Sequence, residues 1–463
     1  MKHSYAEMTV TALVALAGLA GGAAEFTVDF SKEIGKIRRI NGISNCAPLS
    51  SSKGGSYKGI LKPLEAPRTH LHDDALMNPG YALVDVSRIF PLFHLDADDP
   101  RNYDFKPTDD YLRTAVEDGI EIDFRLGEAI EHSANVYRVH PPSDPVKWAD
   151  ICSHIIRHYN EGWADGFKWN IRYWSIWEEP DTNPELLDGP DPYYGAYFRL
   201  YKTVAPILKR RFPNIRIGGP QATGGAKHIR DFVAFCAKEK LPLDVLGWTS
   251  YRLRPEDFLS ESTEYRGILD ENGYTDTELS IVEWHYGPVS WSSHGMRRTK
   301  AHSEEWDRHL NSADSAAFTV ASLILMQDSP VSMMHFYSLK SSSWGIFDAA
   351  MQPQLNYYSL VSFAQLAHGQ VRVEAPLKPQ EGWYALASRE PDGKGHVLVS
   401  AFKSYGGPTI TVRGGLKPVR VRLIDNARKL DDVQGWKWDP EKEVVTIPRI
   451  MCESVVWLAD FER

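Results

Sequence analysis

The chain has 463 residues, and its formal net charge at pH 7 is -9. With 43% hydrophobic and 24% charged residues, it has enough apolar material for a buried core, which excludes an intrinsically disordered chain and indicates two or three folded domains. The acidic balance disfavours a protein that follows nucleic-acid phosphates, because such proteins present a clustered basic face.

The N-terminus has the pattern of a secretory signal peptide. Lys2 precedes an apolar run at 10–17, small residues follow at 21–24, and polar sequence begins at Glu25. A buried N-terminal helix is the alternative interpretation, and the run is shorter than the roughly 20 residues that span a bilayer. We therefore expect a secreted or periplasmic protein that has no membrane association after removal of the signal.

Between residues 39 and 370, short β-rich runs alternate with longer stretches whose apolar residues recur every three or four positions. Eight such units match an α/β fold of the (β/α)8 TIM-barrel type. A doubly wound sheet is the alternative, but polar residues follow several different strands rather than one switch point. The predicted strands are 39–45, 65–70, 121–126, 171–177, 215–218, 245–249, 279–284 and 332–337. The predicted helices are 109–118, 148–158, 192–212, 228–238 and 313–327.

The last part of the chain changes to short strands that are separated by Gly, Pro, Asp and Asn turns, which predicts a C-terminal accessory β-sandwich. An alternating run at 26–30 precedes the first barrel strand, and we predict that it joins this sandwich. The predicted sandwich strands are 371–373, 383–388, 396–402, 409–412, 419–423, 444–447 and 454–458. The predicted domains are a signal peptide (1–24), an N-terminal strand (25–38), a barrel (39–370) and a β-sandwich (371–463).

Glutamates follow two different predicted barrel strands. The fourth strand leads through Trp177 into Glu178 and Glu179 before Pro180 ends it, and the seventh carries Glu283 near its end. Strands four and seven lie apart around the barrel mouth, so their end groups can face each other across a ligand. Two such carboxylates can divide the work of glycoside hydrolysis, one as a proton donor and the other as a nucleophile or base. Surface glutamates at loop starts are the alternative, which the buried character of both strands disfavours.

Several strand-end motifs match one known family. The segment 177–181 reads W-E-E-P-D, the segment 68–70 reads R-T-H, and the segment 218–220 reads G-G-P. Together they resemble the W-N-E-P-D, R-x-H and fifth-strand motifs of glycoside hydrolase family 39 of clan A, which includes β-xylosidases and α-L-iduronidases. The resemblance covers about residues 40 to 360 and implies a barrel with an accessory β-sandwich.

The resemblance also implies roles for individual residues. Glu179 would be the acid/base and Glu283 the nucleophile of a retaining enzyme, and His70 would contact the sugar whose bond is cleaved. Other residues are candidates for substrate binding because they lie at or near strand ends. These candidates are Glu178, Tyr251, Trp284, His285, Tyr337 and Trp344.

We therefore predict an exported retaining exo-glycosidase with a β-xylosidase-like or arabinosidase-like substrate, derived from an oligosaccharide or polysaccharide. Long segments at 51–63 and 284–300 favour a closed pocket, and thus exo action over endo action. Two alternatives stay open, namely a catalytically degraded carbohydrate-binding protein and a uronic-acid-specific, iduronidase-like glycosidase. The sugar, the linkage and the oligomeric state also stay open.

Two residues depart from the family pattern. Glu178 replaces the family's Asn before the acid/base, and Thr249 replaces its His on the sixth strand. An amide both donates and accepts hydrogen bonds, whereas an ionised carboxylate only accepts, so we expect Glu178 to change the contact with the sugar 2-hydroxyl. Because Glu178 is adjacent to Glu179, we also expect the two carboxyl groups to titrate as a coupled pair.

Signatures of cofactors and metals are weak. His70 and His72 share one strand face, but no third ligand follows at a zinc-like spacing and the sequence has no H-E-x-x-H motif. We therefore expect neither a metal nor a cofactor.

The presence of a disulfide is left undecided by the sequence, but the wide spacing of the cysteines favours buried, unpaired thiols. The four cysteines are Cys46, Cys152, Cys236 and Cys452.

Overall fold

The structure, a computed structural model, describes residues 24–45, 59–72, 83–130, 140–182, 195–223, 225–287, 300–339, 344–348, 350–375 and 382–463. They form two compact units. Of these described residues, the first unit contains those within 39–310 and 325–357. The second unit contains residues 24–38 together with the described residues within 311–324 and 358–463. The predicted signal peptide up to residue 23, Cys46 and most of the two predicted pocket-closing segments lie outside the described residues.

In chain order, the strands are β1 (Glu25–Lys36), β2 (Asn41–Ser44), β3 (Arg68–His70), β4 (Glu121–Leu126), β5 (Tyr173–Ile176), β6 (Arg216–Ala222), β7 (Val245–Arg252), β8 (Glu278–Tyr286), β9 (Val331–Phe336), β10 (Val371–Glu374), β11 (Trp383–Arg389), β12 (Gly395–Ala401), β13 (Thr409–Arg413), β14 (Lys417–Ile424), β15 (Lys429–Asp432), β16 (Lys437–Asp439), β17 (Val444–Thr446) and β18 (Val455–Glu462). The α-helices are α1 (Val86–Ile89), α2 (Lys106–Glu117), α3 (Pro145–Asn160), α4 (Gly195–Arg211), α5 (Ala226–Glu239), α6 (Pro255–Glu271), α7 (Lys300–Leu310), α8 (Ala313–Leu325) and α9 (Leu355–Ala367).

The first unit is built on a closed barrel of parallel strands that runs from β2 to β9 in chain order. β5 pairs with both of its neighbours, so that Ser175 lies opposite Arg125 on β4 and Gly218 on β6. Every residue of β5 is buried, as expected for a parallel strand that is covered on both faces. The predicted TIM-barrel fold is therefore confirmed, and β5 and β8 are the fourth and seventh strands of the barrel.

Capping residues set the start of α3. Asp144 accepts hydrogen bonds from the backbone N–H groups of Val146 and Lys147, and Pro145 occupies the first turn, where its missing N–H is not needed. The helix therefore begins three residues before the predicted start at 148. The predicted start lay too far toward the C-terminus because these capping residues are outside the apolar repeat that indicated the helix.

Four helices, α1, α6, α7 and α9, were not predicted. α6 buries Glu261 and Ser262 beside Phe258, so polar residues interrupt the apolar repeat. Glu261 accepts hydrogen bonds from Trp248 Nε1 (3.0 Å) and Ser250 Oγ (2.6 Å), which satisfies this buried carboxylate.

Among the described residues, no helix has the length and apolar character to cross a membrane.

The second unit is built on a ten-stranded sheet in which β1 lies between β10 and β13. β1 is antiparallel to β10 and parallel to β13. Phe26, Val28 and Phe30 alternate along β1 and are buried in one apolar core with residues such as Val412 and Trp457. The strands on both sides of β1 contribute to this core. This unit is the predicted accessory β-sandwich, and β1 is part of its sheet.

Three cysteines in the described part of the chain are free thiols. Cys152 lies in α3 and Cys236 in α5, and both are completely buried. Burial raises the pKa of each of these two thiols well above its ordinary value, so both stay protonated and pack as small apolar side chains.

Candidate active site

Glu178 and Glu179 lie directly after β5, where the backbone turns sharply. Trp177 and Glu179 have φ angles of 72° and 36°, a left-handed conformation that residues other than glycine rarely adopt. The N–H of Trp177 donates to Leu126 O (2.6 Å), and the N–H of Glu179 donates to Gln221 O (3.0 Å). These bonds to both neighbouring strand ends hold the turn, and both glutamates are buried there.

Glu283 lies in β8 and faces the same space as Glu179. One oxygen of each carboxylate and a ring nitrogen of His72 lie within 4.8 Å of one another. His72 Nε2 is 2.8 Å from Glu283 Oε2 and 3.9 Å from Glu179 Oε1. The structure therefore brings together the two glutamates that were predicted to form the catalytic pair, and it places His72 beside both.

Two hydroxyl groups from β7 contact this pair. Thr249 Oγ1 donates to Glu179 Oε1 at 2.7 Å, and the hydroxyl of Tyr251 donates to Glu283 Oε1. Thr249 lies opposite Glu283 in the register of β7 and β8. Thr249, the second departure from the family pattern, thus contacts the predicted acid/base, and Tyr251 contacts the predicted nucleophile.

The pKa of Glu179 is raised to about 7. Burial is the largest cause and the charges of Glu283 and Glu178 act in the same direction, whereas contact with His72 opposes the shift. A carboxyl group with this pKa is protonated in part of the molecules at neutral pH. Glu179 can therefore both give and take a proton near neutrality.

His70 contacts Glu178, and its side chain is completely buried. Its Nε2 is 2.9 Å from Glu178 Oε2, and its Nδ1 is 3.4 Å from Asp123 Oδ2. Burial alone would lower the pKa of His70, but the charges and hydrogen bonds of Glu178 and Asp123 raise it to about 9. The imidazolium is therefore placed to orient Glu178, and its ring exposes no atom to a sugar.

Trp344 joins three of the predicted aromatic residues into one cluster. Its ring centroid lies 5.1 Å from Tyr251, 5.7 Å from His285 and 6.1 Å from Tyr337. The ring of Tyr337 lies edge-on to His72 at 5.5 Å. These rings therefore form a wall on the side of the site that contains His72.

Trp284 does not lie with the predicted catalytic pair. It is buried and packs edge-on against Phe258, at 5.6 Å, and Phe336, at 5.3 Å. Successive side chains of a strand point to opposite faces, so Trp284 faces away from the barrel interior that Glu283 faces. The structure therefore assigns packing to Trp284 rather than contact with a ligand.

His72 and Asp123 belong to the site but were not among the predicted site residues. The two histidines, two positions apart at one strand end, were a signal for His72. Only the pairing of β3 with β4 places Asp123 opposite His70.

The site also contains a possible set of metal ligands. Within the described part of the chain, ligand atoms of His72, Glu179 and Glu283 lie close enough together to hold a metal ion.

Two curated relatives are each named beta-xylosidase. The protein from Geobacillus stearothermophilus is 26% identical over 209 residues, which cover 39% of this chain and 40% of the relative. The protein from Caldicellulosiruptor saccharolyticus is 22% identical over 353 residues, which cover 72% of this chain and 66% of the relative. The chain thus spans less than two thirds of the length of these relatives.

A solved structure of a glucosidase from Croceicoccus marinus superimposes with a TM-score of 0.78 and 22% sequence identity, covering 96% of this chain and 99% of that chain. At this identity the likeness concerns the fold. The family model for glycosyl hydrolases family 39 matches residues 41–272, just over half of the chain. This range includes Glu178, Glu179 and Thr249. The chain therefore belongs to glycosyl hydrolases family 39.

Proposed function

We propose that the protein is a retaining exo-glycosidase that hydrolyses a terminal glycosidic bond by double displacement, with Glu283 as the nucleophile and Glu179 as the acid/base. The observation that carries this proposal is that carboxylate oxygens of the two residues lie within 4.8 Å of each other. Retaining glycosidases hold these groups about 5–5.5 Å apart, whereas inverting ones leave about 6.5–9.5 Å for a water molecule.

In the first step, Glu283 attacks the anomeric carbon while Glu179 gives its proton to the leaving oxygen. The glycosidic C–O bond breaks as an ester bond to Glu283 forms, and the aglycone leaves with the proton of Glu179. The hydroxyl of Tyr251, which donates to Glu283 Oε1, fixes the orientation of the attacking carboxylate. Thr249 Oγ1, at 2.7 Å, does the same for Glu179.

In the second step, Glu179 takes a proton from water, and the resulting nucleophile attacks the anomeric carbon. The ester bond to Glu283 breaks, the sugar leaves with its original configuration, and Glu179 is protonated again. One residue must therefore act as an acid and then as a base. A pKa of about 7 for Glu179 suits both roles near neutral pH.

The proposed substrate is a terminal β-xyloside or arabinoside on an oligosaccharide or a polysaccharide fragment, and two observations support it. Two curated relatives carry the name beta-xylosidase. The aromatic cluster around Trp344 includes Tyr251, whose hydroxyl contacts Glu283. Export is part of the proposal, supported by the N-terminal pattern and by the start of β1 at Glu25, where the predicted signal peptide ends.

Paired variants test the two roles separately. We expect Glu283→Gln to lose turnover of every aryl glycoside, by more than about 1,000-fold, while the fold is retained. We expect Glu179→Ala to lose most of its activity on substrates with poor leaving groups and far less on an activated aryl glycoside, because a good leaving group needs little acid help. Steady-state kinetics on a panel of aryl glycosides and circular dichroism of each variant measure these effects.

Equal losses in Glu179→Ala on good and poor leaving groups would contradict the acid/base role. NMR of the first-formed product from the best substrate tests retention of configuration, and the release of single sugars from an oligosaccharide tests exo action. Wild-type turnover of any glycoside in the panel excludes the degraded, binding-only alternative.

A further inference from the structure

His72 is surrounded by carboxylate oxygens from three residues. Its Nε2 lies 2.8 Å from Glu283 Oε2, 3.6 Å from Glu178 Oε1 and 3.9 Å from Glu179 Oε1. All four side chains are at least nine-tenths buried. The double displacement described above uses Glu179 and Glu283 but gives His72 no step, so the clustering of these groups needs another explanation.

Glu178 contributes a buried oxygen that accepts no hydrogen bond from the described residues. Its Oε2 is 2.9 Å from His70 Nε2, but its Oε1 makes no hydrogen bond to any described residue although it is buried. Oε1 instead faces the space beside His72 Nε2. A buried carboxylate oxygen that accepts no hydrogen bond is destabilising, so a ligand that supplies positive charge there would stabilise the site.

The ligand set matches the preferences of one class of cation. An imidazole nitrogen with carboxylate oxygens is typical of zinc and similar divalent transition metals, which bind such atoms at about 2.0–2.2 Å in a compact arrangement. The three ligand atoms that lie within 4.8 Å of one another allow an ion to reach all of them with small side-chain adjustments. Magnesium and calcium prefer six or more oxygen ligands and fit this set poorly.

We propose that His72, Glu179 and Glu283 form a site for a divalent transition-metal ion, with Glu178 Oε1 as a nearby fourth ligand. A metal bound there occupies an oxygen of the nucleophile and an oxygen of the acid/base. Zinc therefore competes with the substrate and switches the enzyme off reversibly. The site itself is independent of the proposed glycosidase activity, but its inhibitory consequence rests on that activity.

Cobalt spectroscopy tests the site without any need for turnover. Tag-free, full-length protein is titrated with Co²⁺, whose visible absorption reports its ligands, and Zn²⁺ is then added to displace it. We expect one Co²⁺ per chain in the wild type and affinity that is about 100-fold weaker in His72→Gln, which removes the imidazole. The matched control is His396→Gln, because His396 also lies between two carboxylates, Glu390 and Asp460, but contacts them through opposite ring nitrogens.

Inhibition kinetics then test the consequence. We expect Zn²⁺ to raise KM without lowering kcat in the wild type and in His396→Gln, EDTA to reverse this effect, and Mg²⁺ to have none at the same concentration. Circular dichroism verifies that His72→Gln is folded. Absence of Co²⁺ binding, or equal Co²⁺ affinity in wild type and His72→Gln, would overturn the site. If Co²⁺ binds in a His72-dependent way but no glycoside is hydrolysed, the site stands and the proposed function fails.

Discussion

At the scale of single residues, Glu178, which stands where the family pattern has Asn, is accompanied by a buried cation. A second carboxylate next to the acid/base adds buried negative charge, and the imidazolium of His70, with its pKa near 9, lies 2.9 Å away. Asp123 supports the same ring from its other side. The charge of Glu178 is thus partly neutralised by His70, which limits how far it raises the pKa of Glu179.

The pH dependence of activity follows from the raised pKa of Glu179. The first step needs protonated Glu179, so we expect kcat/KM for a substrate with a poor leaving group to fall as pH rises through about 7 and to drop about tenfold for each further pH unit. Measurement of kcat/KM between pH 5 and 9 checks this. The matched control is Glu179→Ala with an activated aryl glycoside, for which the fall near pH 7 is absent. A fall that persists in this variant assigns the titration to another group.

The sequence alone was sufficient to predict those site residues that belong to a recognisable local motif or strand. Glu179 comes shortly after the buried strand β5, as its motif indicated, and Glu283 lies within the buried strand β8, as the strand order indicated. His72, Asp123 and the packing role of Trp284 depend on the direction in which each side chain leaves its strand, and on the neighbour that the barrel register supplies. Those features arise from pairing between segments far apart in the chain, which a local pattern does not contain.

At the scale of secondary-structure elements, the turn after β5 depends on a glycine at the end of β4. Gly127 has a φ of 127°, and a Cβ atom added to it would lie 2.9 Å from Trp177 Cε3 and 3.0 Å from Trp177 Cα. The backbone of Trp177 itself cannot yield easily, because its N–H is bonded to Leu126 O. The close approach of these two strand ends therefore positions Glu178 and Glu179.

Substitution of this glycine is expected to change both stability and activity. We predict that Gly127→Ala lowers the free energy of unfolding by about 1–3 kcal/mol and lowers kcat at least tenfold, because it displaces the turn that carries Glu179. The control is Gly119→Ala after α2, because Gly119 also has a positive φ (77°) but no atom lies within 4 Å of the added Cβ. Urea unfolding and kinetics of both variants provide the measurement. Equal kcat values for the two variants would contradict this explanation.

Strands could be predicted from the sequence where their burial requires a continuous or alternating pattern of apolar residues. β11, β12 and β13 alternate or are continuously apolar, and they were found within one or two residues. β15 and β16 are short and mostly exposed, with the sequences K-L-D-D and K-W-D, so no apolar face marked them. They form because β14 and β17 offer free edges for pairing, and this cause is not visible in their own residues.

At the scale of the whole molecule, the second unit takes its sheet from both ends of the chain. β1 joins the strands on the β10 side to those on the β13 side. Without β1, one continuous sheet becomes two smaller ones, and the core that contains Phe26, Val28 and Phe30 opens on one side. The first strand of the described chain is therefore required for the stability of a domain made mainly from the last strands.

Substitutions in β1 test this dependence. We predict that Val28→Asn lowers the free energy of unfolding by about 2–4 kcal/mol, because it places an amide without partners in a core where Val28 is fully buried. Thr27→Asn is the matched control, since Thr27 is the preceding residue of the same strand and is only partly buried; we expect it to cost less than about 1 kcal/mol. Thermal unfolding followed by circular dichroism compares them. Similar losses in both variants would show that β1 is not part of the core.

The position of β1 has a consequence for biosynthesis. The pairing of Phe26 with Ile410 joins residues that leave the ribosome at very different times. At about 5–20 residues per second, tens of seconds pass before β10 and then β13 are made. Until β10 is available, both hydrogen-bonding edges of β1 are unpaired and its apolar residues are uncovered. During this interval the nascent chain carries an aggregation-prone strand, so we expect a chaperone that shields residues 25–36 to raise the yield of folded protein.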